Sequence, residues 1–222
     1  MIRPDISARR IGAEGQPIAI VDGFHPDPDA LRAAALAAAF APGRHHYPGI
    51  RAPLPGDYFA QVRAGLVPVL RNVFGHGSGV ELLDASFSIV TTPPEALAVE
   101  QRLPHVDAVQ PGRIALVHYL SPGDGTAFFR HRATGFETID AGRSAAYLAA
   151  LNAELRADPP AAAYPFGDTR LFERIAQVDA GYNRAVIYRS ALLHSGAIAQ
   201  DAALASDPAT GRLTVTAFLS AS

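Results

Sequence analysis

Hydrophobic and polar positions along the chain repeat with two different periods. Residues 58–74 carry apolar side chains every three or four positions, which predicts a helix with one buried face. An Ala- and Leu-rich stretch between an Asp-containing turn and a Pro-Gly pair has the start and stop signals of a second helix. Helices are predicted at residues 29–40, 58–74, 142–155 and 169–178.

The other period is two, which is typical of strands with one buried face. Strands are predicted at residues 17–21, 85–91, 114–120, 126–131, 184–188 and 212–219. The sequence S-P-G-D-G between the third and fourth of these predicts that they form a hairpin. We therefore expect one α+β domain over residues 1–222, with a sheet sandwich or barrel as its core, N-terminal helices, and a helical insertion at about residues 135–180.

The amino-acid composition excludes several kinds of catalytic and metal-binding chemistry but says less about the fold. The 222 residues are 49% hydrophobic and 18% charged with a net charge of −2, which supplies a core and gives no basic stripe for nucleic acid. All 19 cations are Arg, and there is no Cys. Schiff-base lysines, thiol nucleophiles and zinc–thiolate sites are therefore excluded.

Targeting and membrane signals are missing from the expected places. Residues 1–12 lack the apolar centre of a secretory signal, and the longest apolar-looking stretch, residues 31–41, is too short to cross a bilayer. We expect a cytoplasmic protein with no membrane partner.

Three residues have the chemistry of a metal site. His105 and Asp107 are two apart on extended chain, so their side chains point to the same side. His194 follows a predicted strand, and two imidazoles with one carboxylate leave three positions open on a non-haem Fe(II) ion. The alternatives are a surface turn for the first two and a buried, backbone-satisfied histidine for His194.

An Arg-x-Thr pair opens the last predicted strand. Arg212, Thr214 and Thr216 share one face, and a guanidinium beside a hydroxyl can bind a carboxylate. The alternative is a solvent-facing strand edge. The remaining histidines have a loop interpretation (His25, His45, His46, His76) or a core or rim interpretation (His118, His131).

The sequence resembles Fe(II)- and 2-oxoglutarate-dependent dioxygenases, most of all the prolyl-4-hydroxylase-like branch. The resemblance lies in the order of four motifs, which are H-x-D, H-Y-L-S-P-G-D-G-T-A-F-F, a late His and R-x-T. The opening I-V-D-G-F-H-P-D-P-D-A-L is similar to that branch as well. The sequence also resembles a bacterial family whose activity is not characterised, so this second resemblance implies no function. It lies in the segments V-T-T-P-P-E-A-L, F-R-H-R-A-T-G-F-E-T and L-L-H-S-G.

The dioxygenase resemblance implies a double-stranded β-helix, or jelly roll, and a set of site residues. It implies that His105, Asp107 and His194 bind Fe(II). It also implies that Arg212 binds the distal carboxylate of 2-oxoglutarate, with Thr214 and Tyr119 as hydrogen-bonding partners. The implied activity is hydroxylation of a C–H bond in an amino acid, a peptide or a small metabolite.

Two departures from that family keep other interpretations open. The loop between His194 and Arg212 is long, and the insertion at residues 135–180 is unusual and can serve as a lid or a dimer contact. One alternative is a non-catalytic jelly-roll binding or scaffold protein with a degenerate metal site. Another is a cupin-type metal enzyme that needs no co-substrate. The expected partners are a small-molecule or peptide substrate and, through the insertion, a second copy in a homodimer.

Overall fold

The computed structural model describes residues 3–43, 47–77, 79–202 and 204–222, so His45 and His46 lie outside the described residues. Over this part the chain folds into a mixed α/β structure dominated by antiparallel sheets. The strands are β1 (Asp5–Ile11), β2 (Gln16–Asp22), β3 (Ala41–Pro42), β4 (Gly49–Ala52), β5 (Val80–Val90), β6 (Arg113–Tyr119), β7 (Gly123–His131), β8 (Phe172–Ala180), β9 (Arg184–Arg189), β10 (His194–Gly196) and β11 (Leu213–Ala221). The helices are α1 (Pro28–Leu36), α2 (Tyr58–Gln61), α3 (Arg63–Asn72) and α4 (Ala141–Ala157).

Two sheets stack as a sandwich. The large sheet has the order β1-β2-β9-β6-β11-β5-β4-β3, and the small sheet has the order β10-β7-β8. An isolated bridge from His105 to His194 adds one more position to the small sheet beside β10. From β5 onward the chain passes repeatedly between the sheets. This path places the segment around His105 beside β10, with Arg212, just before β11, close to Gly196 of β10.

Three apolar layers hold the sandwich together. The helices α1, α2 and α3 cover the outer face of the large sheet, where side chains such as Leu31, Leu66 and Phe87 are buried together. The helix α4 covers the outer face of the small sheet through Tyr147 and Leu151. The inner layer between the sheets contains Ile18, Ala115, Tyr119, Phe128, Val178, Val186 and Tyr188.

The helices near the N-terminus are shorter than predicted. The Asp27 side chain accepts from the amide of Ala30 at 3.0 Å and caps α1, as the sequence suggested, but α1 ends at Leu36 because the chain then enters the short strand β3. The helix predicted at 58–74 is divided into α2 and α3 at Val62, and Pro68 lies inside α3.

Two predictions of local structure are wrong. Residues 169–178 were expected to form a helix, but most of them belong to strand β8, which pairs along β7. Their apolar residues Phe172, Ile175 and Val178 have helical spacing, yet pairing with β7 satisfies the backbone and buries two of these side chains. The helical part of the insertion is therefore α4 alone.

The predicted hairpin between residues 114–120 and 126–131 is also wrong. Strand β6 lies in the large sheet between β9 and β11, whereas β7 lies in the small sheet between β10 and β8. The S-P-G-D-G segment therefore carries the chain from one sheet to the other. Within the described part of the chain, no helix is long and apolar enough to cross a membrane.

Candidate metal centre

Backbone hydrogen bonds fix the H-x-D segment against the strand that carries the late histidine. The amide of His105 donates to the carbonyl of His194, and the amide of His194 donates to the carbonyl of His105, both at 2.9 Å. The amide of Asp107 donates to the carbonyl of Ser190 at 2.9 Å. Residues almost ninety positions apart in the sequence are thus held side by side.

This pairing brings three potential metal ligands together. His105 Nε2 lies 3.6 Å from Asp107 Oδ1, and His194 Nε2 lies 3.4 Å from Asp107 Oδ2. One ligand atom from each of the three residues lies within 4.8 Å of the other two. The centroids of the two imidazoles are 4.5 Å apart. The three residues that the sequence suggested as a metal site therefore converge on one point.

The environment of His194 suits it to metal binding. Its Nδ1 lies 2.8 Å from the carbonyl oxygen of Leu192, which can only accept, so Nδ1 carries the proton and Nε2 presents its lone pair toward Asp107. Burial is the main cause that lowers the pKa of His194 to about 4, against the opposing effect of Asp107. The ring is therefore a neutral imidazole near pH 7, as a metal ligand must be.

Asp107 is the anionic member of the group. Burial by itself would raise the pKa of its carboxyl, but His194 and His105, with a contribution from Arg51, outweigh that effect and lower the pKa. The Asp107 side chain is 14% exposed, while that of His105 is 54% exposed. The site is therefore open to solvent on the His105 side and closed around His194, whose ring packs on Tyr188 at 4.7 Å between centroids.

The donor set fits a divalent first-row metal such as Fe(II). It consists of two imidazole nitrogens and one carboxylate, with no thiolate, and three ligands leave coordination positions for other molecules. His105, Asp107 and His194 would hold the ion.

The predicted co-substrate residues lie in the same inner layer. Arg212 Nε and Nη2 donate to the carbonyl oxygens of Asp124 and Gly125 at 2.9 and 2.8 Å. The guanidinium lies 5.8 Å from the centre of the Tyr119 ring. Gly196, two residues after His194 on β10, is so close that a Cβ there would lie 3.9 Å from Arg212 Nη2. Arg212 therefore lies beside the strand that carries His194.

The hydroxyls of Thr214 and Tyr119 already have partners within the protein. Thr214 Oγ1 donates to the carbonyl of Ser88 at 3.2 Å, and Tyr119 Oη lies 2.7 Å from Thr126 Oγ1. Burial raises the pKa of Tyr119 to about 12, with Arg212 acting in the opposite direction, so its hydroxyl is neutral. Both residues position the neighbourhood of Arg212, while a direct bond to a ligand would require a change of partner.

His118 and His131, and two arginines of the small sheet and the turn after it, have structural partners. His118 faces the outer core, where Nδ1 lies 3.1 Å from Tyr58 Oη and Nε2 lies 3.0 Å from Asn183 Oδ1. His131 Nε2 lies 2.8 Å from Glu154 of α4. Arg130 bridges the buried Glu137 and the partly exposed Glu173, and Arg132 pairs with Asp168.

Sequence reasoning missed two polar residues of the inner layer, Tyr47 and Arg51. The Arg51 guanidinium lies 4.4 Å above the ring of Tyr47, and both Arg51 Nε and Tyr47 Oη are buried without a hydrogen-bond partner among the described residues. Both belong to a Gly- and Pro-rich stretch that lies outside every helix and strand predicted from the sequence. A signal was present in G-I-R-A, whose partly buried Ile and buried Ala share one face while Arg51 lies on the other. Four residues are too few to establish a period.

Two cavities open near these residues. A groove of about 240 Å³ is lined by Asp107 together with Leu83, Ala108, Gln110, Arg113, Ser190, Phe218 and Leu219. A larger cavity of about 500 Å³ reaches Arg212 and is otherwise lined by residues such as Arg32, Asp124 and Tyr182. The smaller groove contacts the candidate metal centre, and the larger one does not.

Comparison with known proteins assigns a family to the chain. It belongs to DUF6445, a family of unknown function whose model matches residues 2–219. No curated protein matches the chain.

Solved structures with a similar fold include HygX from Streptomyces hygroscopicus, determined with nickel, 2-oxoglutarate and hygromycin B bound. It has a TM-score of 0.51 and 12% identity, over 93% of this chain and 84% of HygX. AviO1 from Streptomyces viridochromogenes Tue57 has a TM-score of 0.43 and 13% identity, over 98% and 90% of the two chains. EvdMO1 has a TM-score of 0.44 and 10% identity, over 97% and 55%. The likeness to HygX shows a shared fold.

Proposed function

We propose that this protein is an Fe(II)- and 2-oxoglutarate-dependent oxygenase that hydroxylates a C–H bond of a small molecule or peptide. The observation that carries the proposal is the convergence of His105, Asp107 and His194, with ligand atoms within 4.8 Å of one another. HygX, which shares the fold, binds nickel and 2-oxoglutarate, and this supports the same cofactor pair here.

The path of the chain supports a double-stranded β-helix as the finer description of the fold. In sequence order, β5, the segment at His105, β6, β7 and β8, β9, β10 and β11 alternate between the large and the small sheet. Such alternation winds the chain around the space between the sheets. It is the arrangement that the resemblance to prolyl-4-hydroxylase-like enzymes implied.

The balanced reaction is R–H + O₂ + 2-oxoglutarate → R–OH + succinate + CO₂. Fe(II) with 2-oxoglutarate and O₂ supplies the oxidant, and the chain supplies binding, orientation and exclusion of water. His105, Asp107 and His194 would hold the ion. Arg212 would bind the distal carboxylate of 2-oxoglutarate through Nη1, because its Nε and Nη2 are bonded to backbone carbonyls that also fix the direction of the guanidinium.

Tyr47 adds a hydroxyl to that end of the site. Burial raises the pKa of Tyr47, and the charges of Arg212 and Arg51 act against this, so the ring lies within reach of both cations. Its Oη is buried and neutral, makes no hydrogen bond of ordinary geometry within the described residues, and lies close to the Ser88 side chain, which also lowers the pKa of Tyr47. A carboxylate at Arg212 would accept a hydrogen bond from it.

The engagement of Arg212 with the backbone favours a second candidate, a metal enzyme without a co-substrate. Anaerobic titration of the apo-protein with Fe(II) and then 2-oxoglutarate separates the two, because the chelate has a visible charge-transfer band. We expect a band that is lost in His194→Ala, at least tenfold weaker in affinity in Arg212→Ala, and unchanged in Arg63→Gln, a substitution on the exposed surface of α3.

Fe(II) binding without a band, and indifference to Arg212→Ala, would establish the co-substrate-free enzyme. Neither metal nor 2-oxoglutarate binding by a folded chain would overturn both enzymatic proposals.

A further inference from the structure

Arg51 occupies the inner face of the large sheet at the side of the candidate metal centre. In the register of the strands, Arg51 of β4 is opposite Ser88 of β5, and Ser88 is opposite Thr214 of β11. The three side chains therefore form a polar row across the sheet. Thr214 is two residues after Arg212, whose Nη2 lies close to Gly196 of β10, so the row lies near the strand that carries His194.

Through its guanidinium, Arg51 donates no hydrogen bond to another residue of the described ranges. Its side chain is 19% exposed, its guanidinium packs on the Tyr47 ring, and its Nε is buried with no partner in the described part of the chain. Asp84 is its ion-pair partner, with 3.6 Å between Nη1 and Oδ2, which is longer than a hydrogen bond. Because the guanidinium donates no hydrogen bond to a described residue, a ligand carboxylate could accept from it.

Asp84 supplies the opposite charge at the rim. It lies on β5 on the same face as Ser86 and Ser88, opposite Phe218 of β11, and its side chain is 57% exposed. An anion-binding donor group and a carboxylate are thus placed 3.6 Å apart. That spacing suits a ligand whose negative and positive groups are attached to the same carbon atom.

A groove next to Asp84 includes one of the metal ligands. Leu83 and Phe218, the neighbours of Asp84 along and across the sheet, line the groove of about 240 Å³, and Asp107 lines it as well. Its walls combine these apolar side chains with Gln110 and Arg113. The volume is small for a drug-sized ligand and large enough for a single amino-acid side chain.

We propose that the substrate is a free α-amino acid, with its carboxylate on Arg51, its ammonium group on Asp84 and its side chain in the groove that reaches Asp107. This inference rests on the proposed function, since it places a C–H bond of that side chain at the metal centre. A peptide could not bind in this way, because its internal residues have neither free group.

Isothermal titration calorimetry on the chain loaded with Ni(II) and 2-oxoglutarate tests the proposal without turnover. The probes are the twenty standard L-amino acids, followed by the N-acetyl and amide derivatives of the one that binds most tightly. We expect at least one amino acid to bind, and each derivative to bind about tenfold more weakly or worse, because each removes one charge-assisted interaction.

Variants locate the binding to the two side chains. Arg51→Gln weakens amino-acid binding about tenfold or more, while Arg63→Gln, an equal loss of charge on the outer side of the large sheet, leaves it unchanged. Asp84→Asn, at an exposed position that tolerates substitution, weakens binding of the free amino acid but not of its N-acetyl derivative. Equal affinities for Arg51→Gln and Arg63→Gln, or no binding by any of the twenty, would overturn the proposal.

The same titration separates this inference from the proposed function. Binding of 2-oxoglutarate without any amino acid leaves the oxygenase standing and overturns the amino-acid site. Amino-acid binding that depends on Arg51, in a chain that does not bind 2-oxoglutarate, supports the site and overturns the oxygenase.

Discussion

Alternate side chains of β11 face two different surroundings. Leu213, Val215, Ala217 and Leu219 are buried in the apolar layer under α1, α2 and α3. Thr214 and Thr216, between them, face the inner layer, where Thr214 bonds to the carbonyl of Ser88 and Thr216 bonds to the Ser88 hydroxyl at 2.8 Å. Arg212 precedes the strand on that same side.

The two faces of β11 have different roles: the outer face stabilises the fold, and the inner face carries polar groups of the candidate site. The outer face excludes water over the largest of the three apolar layers, whose burial stabilises the fold. The inner face buries less apolar surface, because it carries hydroxyls and a guanidinium and faces the metal ligands of the small sheet. A strand fixed by its outer side chains can hold polar groups on the inner side in defined positions.

The largest expected loss of stability comes from a cavity in the apolar layer on the outer face of the large sheet. Phe87→Ala removes a side chain that is 1% exposed within the apolar layer. We expect the free energy of unfolding to fall by about 3–5 kcal/mol, as for other large-to-small core substitutions. Urea unfolding measures it, and a loss below 1 kcal/mol would show that the outer layer does not carry the fold.

A second test uses the polar exception on the outer face, His118, which packs near His25 and Tyr58. Burial lowers the pKa of His118 to about 3, so the ring stays neutral when folded while the unfolded chain binds a proton near pH 6.5. The free energy of unfolding should therefore fall as the pH drops below 6.5, by roughly 1.4 kcal/mol per pH unit for this group.

Urea unfolding of His118→Gln at pH 7, 6 and 5 checks that prediction. The variant lacks the titrating ring, so its free energy of unfolding should fall less steeply with pH than that of the unsubstituted chain. Identical pH dependence in the two proteins would mean that His118 does not cause the acid sensitivity.

The smallest effect is expected on the inner face. Thr216→Val keeps the shape of the side chain and removes the bond to the Ser88 hydroxyl. We expect a loss of about 1 kcal/mol or less in the free energy of unfolding. Circular-dichroism melts would measure it, and a loss as large as that of Phe87→Ala would erase the distinction between the two faces.

Elements whose pattern is local could be predicted from the sequence. Alternating apolar and polar positions predicted the strands β6, β9 and β11. An Ala-rich pattern predicted the helix α4. His105 and Asp107 could be paired from their spacing alone. Placing His194 beside them depended on the order of motifs, because a contact across almost ninety residues leaves no local trace.

The failures share a physical cause, which is that strand pairing is not local. Residues 169–178 have helical spacing, and only the presence of β7 alongside makes them a strand. The turn before Thr126 looks like a hairpin, but β6 has better partners in β9 and β11. Arg51 reaches the site from β4, a strand of four residues that gains its place by pairing with β5.

Fe(II) content after anaerobic equilibrium dialysis tests the central claim most directly. The claim is that the inner trio of His105, Asp107 and His194 is one metal site, whereas His118 on the opposite face of the large sheet is structural. We expect one Fe(II) per chain for the unsubstituted protein and for His118→Gln, and loss of the ion in Asp107→Ala and His194→Ala. Equal iron content in all four proteins, or none in any of them, would contradict the account.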